Sequence, residues 1–286
     1  MPEITVSAII VTHNSAALIL RCLESLMPQI SGRDEIILFD NSSNDATVSS
    51  VKSTFPHIRI ETSVKNLGFA AACNSAAAKA SGHFLLFVNP DLMLDIDCFN
   101  QLVKFLSNQD DCGLVTARLR YPDGAFQPNC REYPSLENLV FSRGSFLRRL
   151  GIVRDRGRYT LPDFQEATAV PVASATCILI TREFFRELDG FDPRFFLFME
   201  DTDLCFRVRQ AGKKIYFLPR AEAVHEWGRG AAVSRARRLY HHHHSLWKYF
   251  LKHHPNGFSL LLLPLLLVVN YILQLISTPG EMNTSG

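Results

Sequence analysis

The sequence predicts an α/β fold: a mostly parallel sheet with helices on both faces. Three observations carry that reading. Strand-like and helix-like segments alternate through the first third of the chain, the order that crossover connections impose on a parallel sheet. The strand-like segments are continuous apolar runs, as in "HFLLFVNPDLML" at 83–94, and such runs are buried on both faces. Polar residues (Thr12, Asn14, Asp40, Asp91) fall where those runs end. Open sheets of this class bind ligands beyond the carboxyl ends of their strands.

"ITVSAIIVTHN" reads as the first strand, ending at Asn14. "SAALILRCLESLM" follows as a helix, with Leu18, Ile19, Cys22, Leu23 and Leu26 on one face. "EIILFD" is a second buried strand ending at Asp40, and Asn44 or Asp45 is the expected N-cap of the next helix. "IRIET" is a short strand. "KNLGFAAACNSAAAKASG" is a glycine-containing loop entering a small-residue helix, with Gly82 as its expected stop. The strand at 83–94 closes the first half. The region 118–165 is less regular and holds an arginine-rich segment from Arg143 to Arg158. It reads either as a solvated loop or as a contact for a diphosphate or anionic lipid. Regular structure returns with "ATAVPVASATCILITREFFREL", a helix opening on "MEDTD", a strand at "KIYFL", and then "AVHEWGRG".

The expected organisation is one main domain at 1–230, with halves 1–116 and 117–230, then a basic amphipathic helix at 231–257 and a hydrophobic tail at 258–286. In the amphipathic helix, Leu239, Tyr240, Leu246, Trp247, Phe250 and Leu251 form one stripe and Arg237, His241, His244, Lys248 and Lys252 the other. That is the pattern of a membrane-surface helix. His241–His244 belong to the basic face and are expected to titrate near neutral pH. Phe258–Ile276 carries no charge over 19 residues, near the ~20 needed to span a bilayer. Pro264, Asn270 and Gln274 interrupt it, so spanning, interfacial insertion and a buried core helix all stand.

Composition narrows the partners. Of the 286 residues 47% are apolar, which supports a core. A net charge of +2 does not suggest nucleic acid. No Asp or Glu occurs from Trp227 to Gly280, while Arg235, Arg237, Arg238, Lys248 and Lys252 lie there. That asymmetry asks for an anionic partner. Seven cysteines without a CxxC pair suggest a reducing compartment, no disulfide framework and no zinc site. The start, Met-Pro-Glu-Ile-Thr, runs straight into a strand and does not read as a signal peptide.

Each candidate site residue has two readings. Asp40 either accepts from a pyrimidine N–H or caps the following helix. Asp91 either holds a divalent cation against a diphosphate or closes a turn after Asn89-Pro90. Glu200, Asp201 and Asp203 either complement a positive helix end or supply a general base. Phe195, Phe196 and Phe198 precede them, and apolar surroundings raise a carboxylate pKa. His225 reads as structural or as a metal ligand. No GxGxxG follows the first strand, which weighs against a dinucleotide oxidoreductase, and no glycine-rich phosphate loop of a nucleotidyltransferase stands there either.

"SAIIVTHNSAALILRCLESL", "LFDNSSNDAT", "KNLGFAAACNSAA", "LLFVNPDLML", "GFDPRFFLFMEDTDLCFRVRQAGKKIYFLP" and "AVHEWG", in that order, resemble the family-2 glycosyltransferases of the GT-A fold. Within them the chain is most similar to rhamnosyltransferase-type enzymes of the bacterial cell envelope. The resemblance spans roughly residues 4–250 and implies a Rossmann-like sheet. It implies that Thr12, Asn14 and Asp40 hold the base and ribose of a nucleotide sugar, with Asn66 and the Gly68 turn lining that pocket. Asn89 and Asp91 take the outer positions of the metal- and diphosphate-binding DxD motif. Asp201 matches the catalytic base, Glu200 its neighbour, and His225 a histidine that completes the metal site. The implied cofactor is Mg²⁺ or Mn²⁺, the donor a dTDP- or UDP-sugar, and the acceptor a lipid-linked or polysaccharide saccharide. The implied location is the cytoplasmic face of the inner membrane, peripheral or tail-anchored, with a homo-oligomer left open. Two positions depart from the family pattern. Asn89 stands where many relatives have Asp and brings no charge to the metal. Ser174 replaces a glycine and narrows the acceptor approach. The competing class is a non-catalytic nucleotide-sugar-binding protein of the same fold.

Overall fold

In the computed structural model, residues 5–135, 161–226, 234–255 and 259–276 are described. The arginine-rich segment, Trp227 and the last ten residues lie outside them. The described chain groups into two compact units. The first holds the sheet and its helices; the second holds two C-terminal helices with Leu197–Met199.

The sheet of the first unit is built in two stages. β1 (Val6–Thr12), β2 (Glu35–Asp40), β3 (Arg59–Thr62) and β4 (Phe84–Val88) are joined by α1 (Ile19–Leu26), α2 (Thr47–Thr54) and α3 (Phe69–Ala77). β1 pairs in parallel with both β2 and β4, and β2 with β3. Every residue of β1 and β4 is buried, as unbroken apolar strands in the middle of a covered sheet must be. The sequence expectation of a parallel sheet holds for these four strands.

The second stage is mixed. After β5 (Leu92–Leu94) and α4 (Cys98–Asn108) come β6 (Cys112–Arg120), β7 (Phe126–Gln127), β8 (Cys130–Arg131), β9 (Thr168–Val170), β10 (Val172–Ala173) and β11 (Cys177–Thr181). α5 (Arg182–Glu187), α6 (Glu200–Gln210) and β12 (Lys214–His225) complete the unit. The order is β3-β2-β1-β4-β11-β6-β12-β5, with β7 on β6 and β9 on β12. β11 is antiparallel to both β4 and β6, so it joins the two stages into one sheet across the expected boundary at 116/117.

Two boundaries differ from the sequence reading. α3 ends at Ala77, well before Gly82. Gly82 packs instead against β1, where a Cβ would stand 2.5 Å from the Ser7 amide. β12 does not stop at "KIYFL" but runs on through Pro219 to His225. It does so because its register on β6 shifts between Leu218 and Glu222, a bulge that accommodates a residue without an N–H. The continuation brings His225 into the sheet opposite Leu92.

In the second unit, α7 (Arg235–His253) packs on α8 (Ser259–Ile276). The buried face of α7 is His243, Ser245, Leu246, Tyr249 and Phe250, while Tyr240 and Leu251 are exposed. This corrects the stripe read from the sequence. His243 sits inside because Nδ1 donates to the Leu239 carbonyl at 2.8 Å and Nε2 accepts from Asn270 at 3.0 Å. Desolvation lowers its pKa, and burial with nearby cations lowers those of His241 and His244. The expected near-neutral histidine face is therefore shifted towards the uncharged form. Arg235 donates to the Gln274 carbonyl at 2.6 Å. One polar interruption of the tail, Asn270, thus serves the helix pair.

All seven cysteines are free and buried, and burial pushes Cys112 and Cys205 up to about 12.

Gly68 is the backbone position with least freedom to change. Its φ is +82°, and a Cβ there would lie 2.4 Å from the Phe196 carbonyl oxygen. Gly68→Ala should cost at least ~1–3 kcal/mol from the backbone alone. Urea denaturation would report it as a lower midpoint with an unchanged slope.

Candidate active site

The nucleotide-side residues converge beyond β1 and β2. Thr12 and Asp40 end neighbouring strands in register, and the Thr12 hydroxyl donates to Asp40 Oδ1 at 3.3 Å. Asp40 Oδ2 accepts the Ser43 amide at 3.1 Å, closing a turn in which Ser42 has φ +68°. Asn14, at φ +54°, accepts the Asn44 amide on its Oδ1 at 2.8 Å. The helix-capping expectation moves here: α2 has no side-chain cap, and Asp45 instead accepts from Thr47 at 3.0 Å two residues on.

Asn41, which sequence reasoning passed over, ties this edge to the Asn66–Gly68 loop. Its side chain donates to Asn66 Oδ1 at 3.0 Å and accepts the Leu67 amide at 2.8 Å. Asn66 Oδ1 also accepts the Gly68 amide at 2.9 Å. The missing Cβ of Gly68 lets the Phe196 carbonyl approach and accept the Phe69 amide at 2.8 Å. Asn74 clamps the same approach segment by bonding both backbone groups of Phe191.

Asn89, Pro90 and Asp91 leave β4 at the next strand end. The Asn89 amide donates to the Thr176 carbonyl at 2.9 Å, and Ser174 and Thr176 share a hydroxyl hydrogen bond of 2.8 Å. Ser174 therefore lies within one hydroxyl of the segment that anchors Asn89. Asp91 is buried, and its Oδ1 stands 3.2 Å from His225 Nε2. His225 Nδ1 faces Gln127 Oε1 at 2.7 Å and so carries the ring proton. Nε2 then presents a lone pair to a carboxylate oxygen that has no aligned donor. Two acceptors held this close suit a shared cation. The Gln127–His225 bond is of the kind that fixes the orientation and tautomer of an imidazole. Among the described residues no cluster of three or more His, Cys, Asp or Glu could hold a metal. Asp91 and His225 bring two side chains of metal-ligating type together.

The third group opens α6. Phe198 and Met199 both hold positive φ, at +68° and +67°. Such strain costs about 1–3 kcal/mol per residue and marks functional turns. It delivers Glu200 and Asp201, both buried, into the first turn of α6. Asp201 Oδ1 accepts from Arg131 at 2.6 Å and from the Thr202 amide at 2.6 Å. Glu200 Oε2 is buried without a partner. Burial, followed by the neighbouring Asp201 charge, pushes Glu200 up to about 8. The carboxylate that burial raises is Glu200.

Gln127, Asn129 and Arg131 were not singled out from the sequence. They are alternate residues of one short ribbon that runs from β7 through Asn129 into β8. Gln127 meets His225, Asn129 donates to the Ala117 carbonyl at 2.8 Å, and Arg131 meets Asp201. The only sequence signal was an amide, an amide and a cation spaced two apart.

The description "Glycosyl transferase family 2" matches residues 7–189. An N-acetylglucosaminyl-diphospho-decaprenol L-rhamnosyltransferase of Mycobacterium tuberculosis is 28% identical over 260 residues, covering 85% of this chain and 83% of that protein. Rhamnosyltransferase WbbL of Escherichia coli (strain K12) is 24% identical over 147 residues, covering 51% of this chain and 53% of that protein. Among solved structures, mannosyltransferase PcManGT from Pyrobaculum calidifontis, in complex with GDP-Man and Mn²⁺, superposes with TM-score 0.59. It is 20% identical, and the match covers 93% of this chain and 69% of that one. The chain belongs to glycosyl transferase family 2 and has the GT-A fold.

Glu200 makes stability depend on pH. Its folded pKa lies above that of an unfolded Glu, so its contribution is full below about pH 4.5 and is lost as pH rises towards about 8. Glu200→Gln should remove that slope. Urea midpoints at pH 5, 6.5 and 8 should show the variant gaining on the parent as pH rises.

Proposed function

We propose that this glycosyltransferase inverts the anomeric centre of a sugar, with rhamnose the favoured candidate, in moving it from a dTDP- or UDP-sugar to a lipid-linked saccharide of the cell envelope. The observation that carries the reading is the pairing of two built features on one ribbon. Gln127 orients His225 beside Asp91, and Arg131 holds Asp201 beside Glu200. The first suits a diphosphate-bound cation and the second an acceptor hydroxyl. The identity with the Mycobacterium tuberculosis rhamnosyltransferase, whose name specifies a diphospho-decaprenol acceptor, supports the choice of sugar and acceptor class.

In this reading Thr12, Asn14, Asp40, Asn66 and Gly68 seat the nucleoside, and Asn89 contributes a neutral carbonyl beside the diphosphate. Asp91 and His225 would hold Mg²⁺ or Mn²⁺. When bound, the cation neutralises the charge that develops on the departing diphosphate. Asp201 takes the proton of the acceptor hydroxyl as the new C1–O bond forms and the bond to the diphosphate breaks. Attack opposite to departure inverts C1. Glu200, pushed up to about 8, is largely protonated at neutral pH and positions the acceptor as a donor. A non-catalytic binding protein would not need this strained and buried carboxylate pair.

The helix pair supplies a membrane contact at the cytoplasmic face. Among the described residues no helix is long and apolar enough to cross a membrane. Of the two modes of attachment, interfacial insertion is the one the exposed face of α8 supports. Leu263 and Leu267 are buried, whereas Leu261, Leu262, Leu265, Val268 and Ile276 are exposed. An apolar outer face beside a segment without acids fits an anionic lipid surface.

Asp201→Asn should lower kcat by ~10²–10⁴-fold, the usual worth of a general base. It should leave the KM for the nucleotide sugar little changed. Transfer at the parent rate would remove Asp201 from the role. Separately, the full chain should float with vesicles containing anionic lipid. Leu261→Ser with Leu265→Ser and Val268→Ser should leave it in the dense fraction, and flotation unaffected by those changes would exclude α8 as the contact.

A further inference from the structure

Two adjacent carboxylates, both buried, pose a question that the base assignment leaves open: what makes Asp201 rather than Glu200 the charged one? Like charges this close do not both ionise readily in a buried site. The groups facing the pair are few. Arg131 comes from β8, Asp203 from α6, and the Cys73 and Cys205 thiols from α3 and α6. Asp203 is itself paired with Arg207 at 2.8 Å. Arg131 is the cation that reaches a carboxylate of the pair, and it reaches Asp201.

The contact is also directional. Arg131 Nη2 donates to Asp201 Oδ1 at 2.6 Å and to the Thr202 hydroxyl at 2.9 Å. The Thr202 amide and hydroxyl donate to that same Oδ1, at 2.6 and 3.1 Å. Three donors therefore converge on one oxygen, and Oδ2 has no partner among the described residues. A carboxylate held by one oxygen and open at the other is oriented to take a proton from a single direction.

We propose that Arg131 is a positioning residue for the transfer reaction. It selects Asp201 as the ionised member of the Glu200–Asp201 pair and turns Oδ2 towards the acceptor hydroxyl. The inference rests on the reading of Asp201 as the base. Arg131 touches no reacting atom; it acts through Asp201. It does so from the ribbon that also orients His225, two alternations away at Gln127. The cation side and the base side of the site are thereby set by one short stretch of backbone.

The test compares Arg131→Gln, Arg131→Lys and Asp201→Asn in steady-state transfer across pH, with thermal unfolding as the control for folding. Arg131→Gln should lower kcat on the order of 10²-fold, the scale of a misplaced catalytic group. KM for the nucleotide sugar should hold, and the acidic limb of the kcat profile should move to higher pH, because the carboxylate loses its cation. Arg131→Lys, which keeps the charge, should recover part of the rate and return the limb towards its original position. A drop in kcat with an unmoved limb and no recovery by Lys would reduce Arg131 to a structural role and overturn the proposal. So would a parent-like profile for Arg131→Gln while Asp201→Asn is inactive, which leaves the base reading standing. Activity in Asp201→Asn would instead remove the base reading itself. Where Arg131→Gln does not fold, Thr202→Val decides. A several-fold loss of kcat with the limb moved supports the proposal, and a parent-like profile overturns it.

Discussion

Acids crowded at one rim of a sheet must each be given a partner, and the rest of the structure is arranged around that constraint. Asp40, Asp91, Glu200 and Asp201 are all buried. A buried charge without compensation costs several kcal/mol. Asp40 is met by Thr12 and the Ser43 amide, and Asp201 by Arg131 and Thr202. Asp91 is left facing an imidazole lone pair, and Glu200 keeps one oxygen unpaired. Asp40 has fixed geometry in the protein alone, and Asp201 is fixed at one oxygen and open at the other. The open positions are where a cation or a hydroxyl has something to gain by binding. Incomplete satisfaction at those positions is a form of stored affinity.

The parts of this arrangement that local pattern controls were legible in the sequence. Continuous apolar runs gave β1, β2 and β4, and the first polar residue after each run gave Thr12, Asp40 and the Asn89–Asp91 turn. The acids in "MEDTD" were readable as a first helical turn. The supporting residues were not. Gln127 and Arg131 lie in strands of two residues and Asn129 between them, too short a run for any periodic signal. Their partners are 98, 12 and 70 residues away. His225 seemed to follow a strand confined to "KIYFL"; only the ladder shows the bulge that carries the strand on to it. The left-handed turn at Phe198–Met199 had no glycine to announce it.

The same limit applies to the C-terminal helices. Asn270 and Gln274 weaken a hydropathy reading because hydropathy scores a residue without its partner. In the structure Asn270 donates to His243, and the Gln274 carbonyl accepts from Arg235. Both lie on the side of α8 that carries the buried Leu263 and Leu267. With the Asn270 amide turned towards His243, the outer face is more apolar than the average of its residues. Conversely, His243 was counted as a surface cation and is an interior hydrogen-bond acceptor.

The cysteines have a consequence of a different kind. Each of the seven occupies a different element: α1, α3, α4, β6, β8, β11 and α6. Sealed in the core, they are shielded from oxidants and alkylating reagents. A thiol becomes reactive only when the element that carries it opens to solvent. An opening that exposes several at once also permits disulfides that the native chain does not have, and these would block its return. The lifetime of the protein outside a reducing environment is therefore set by the rate at which its elements open, and the depth of its free-energy minimum matters less.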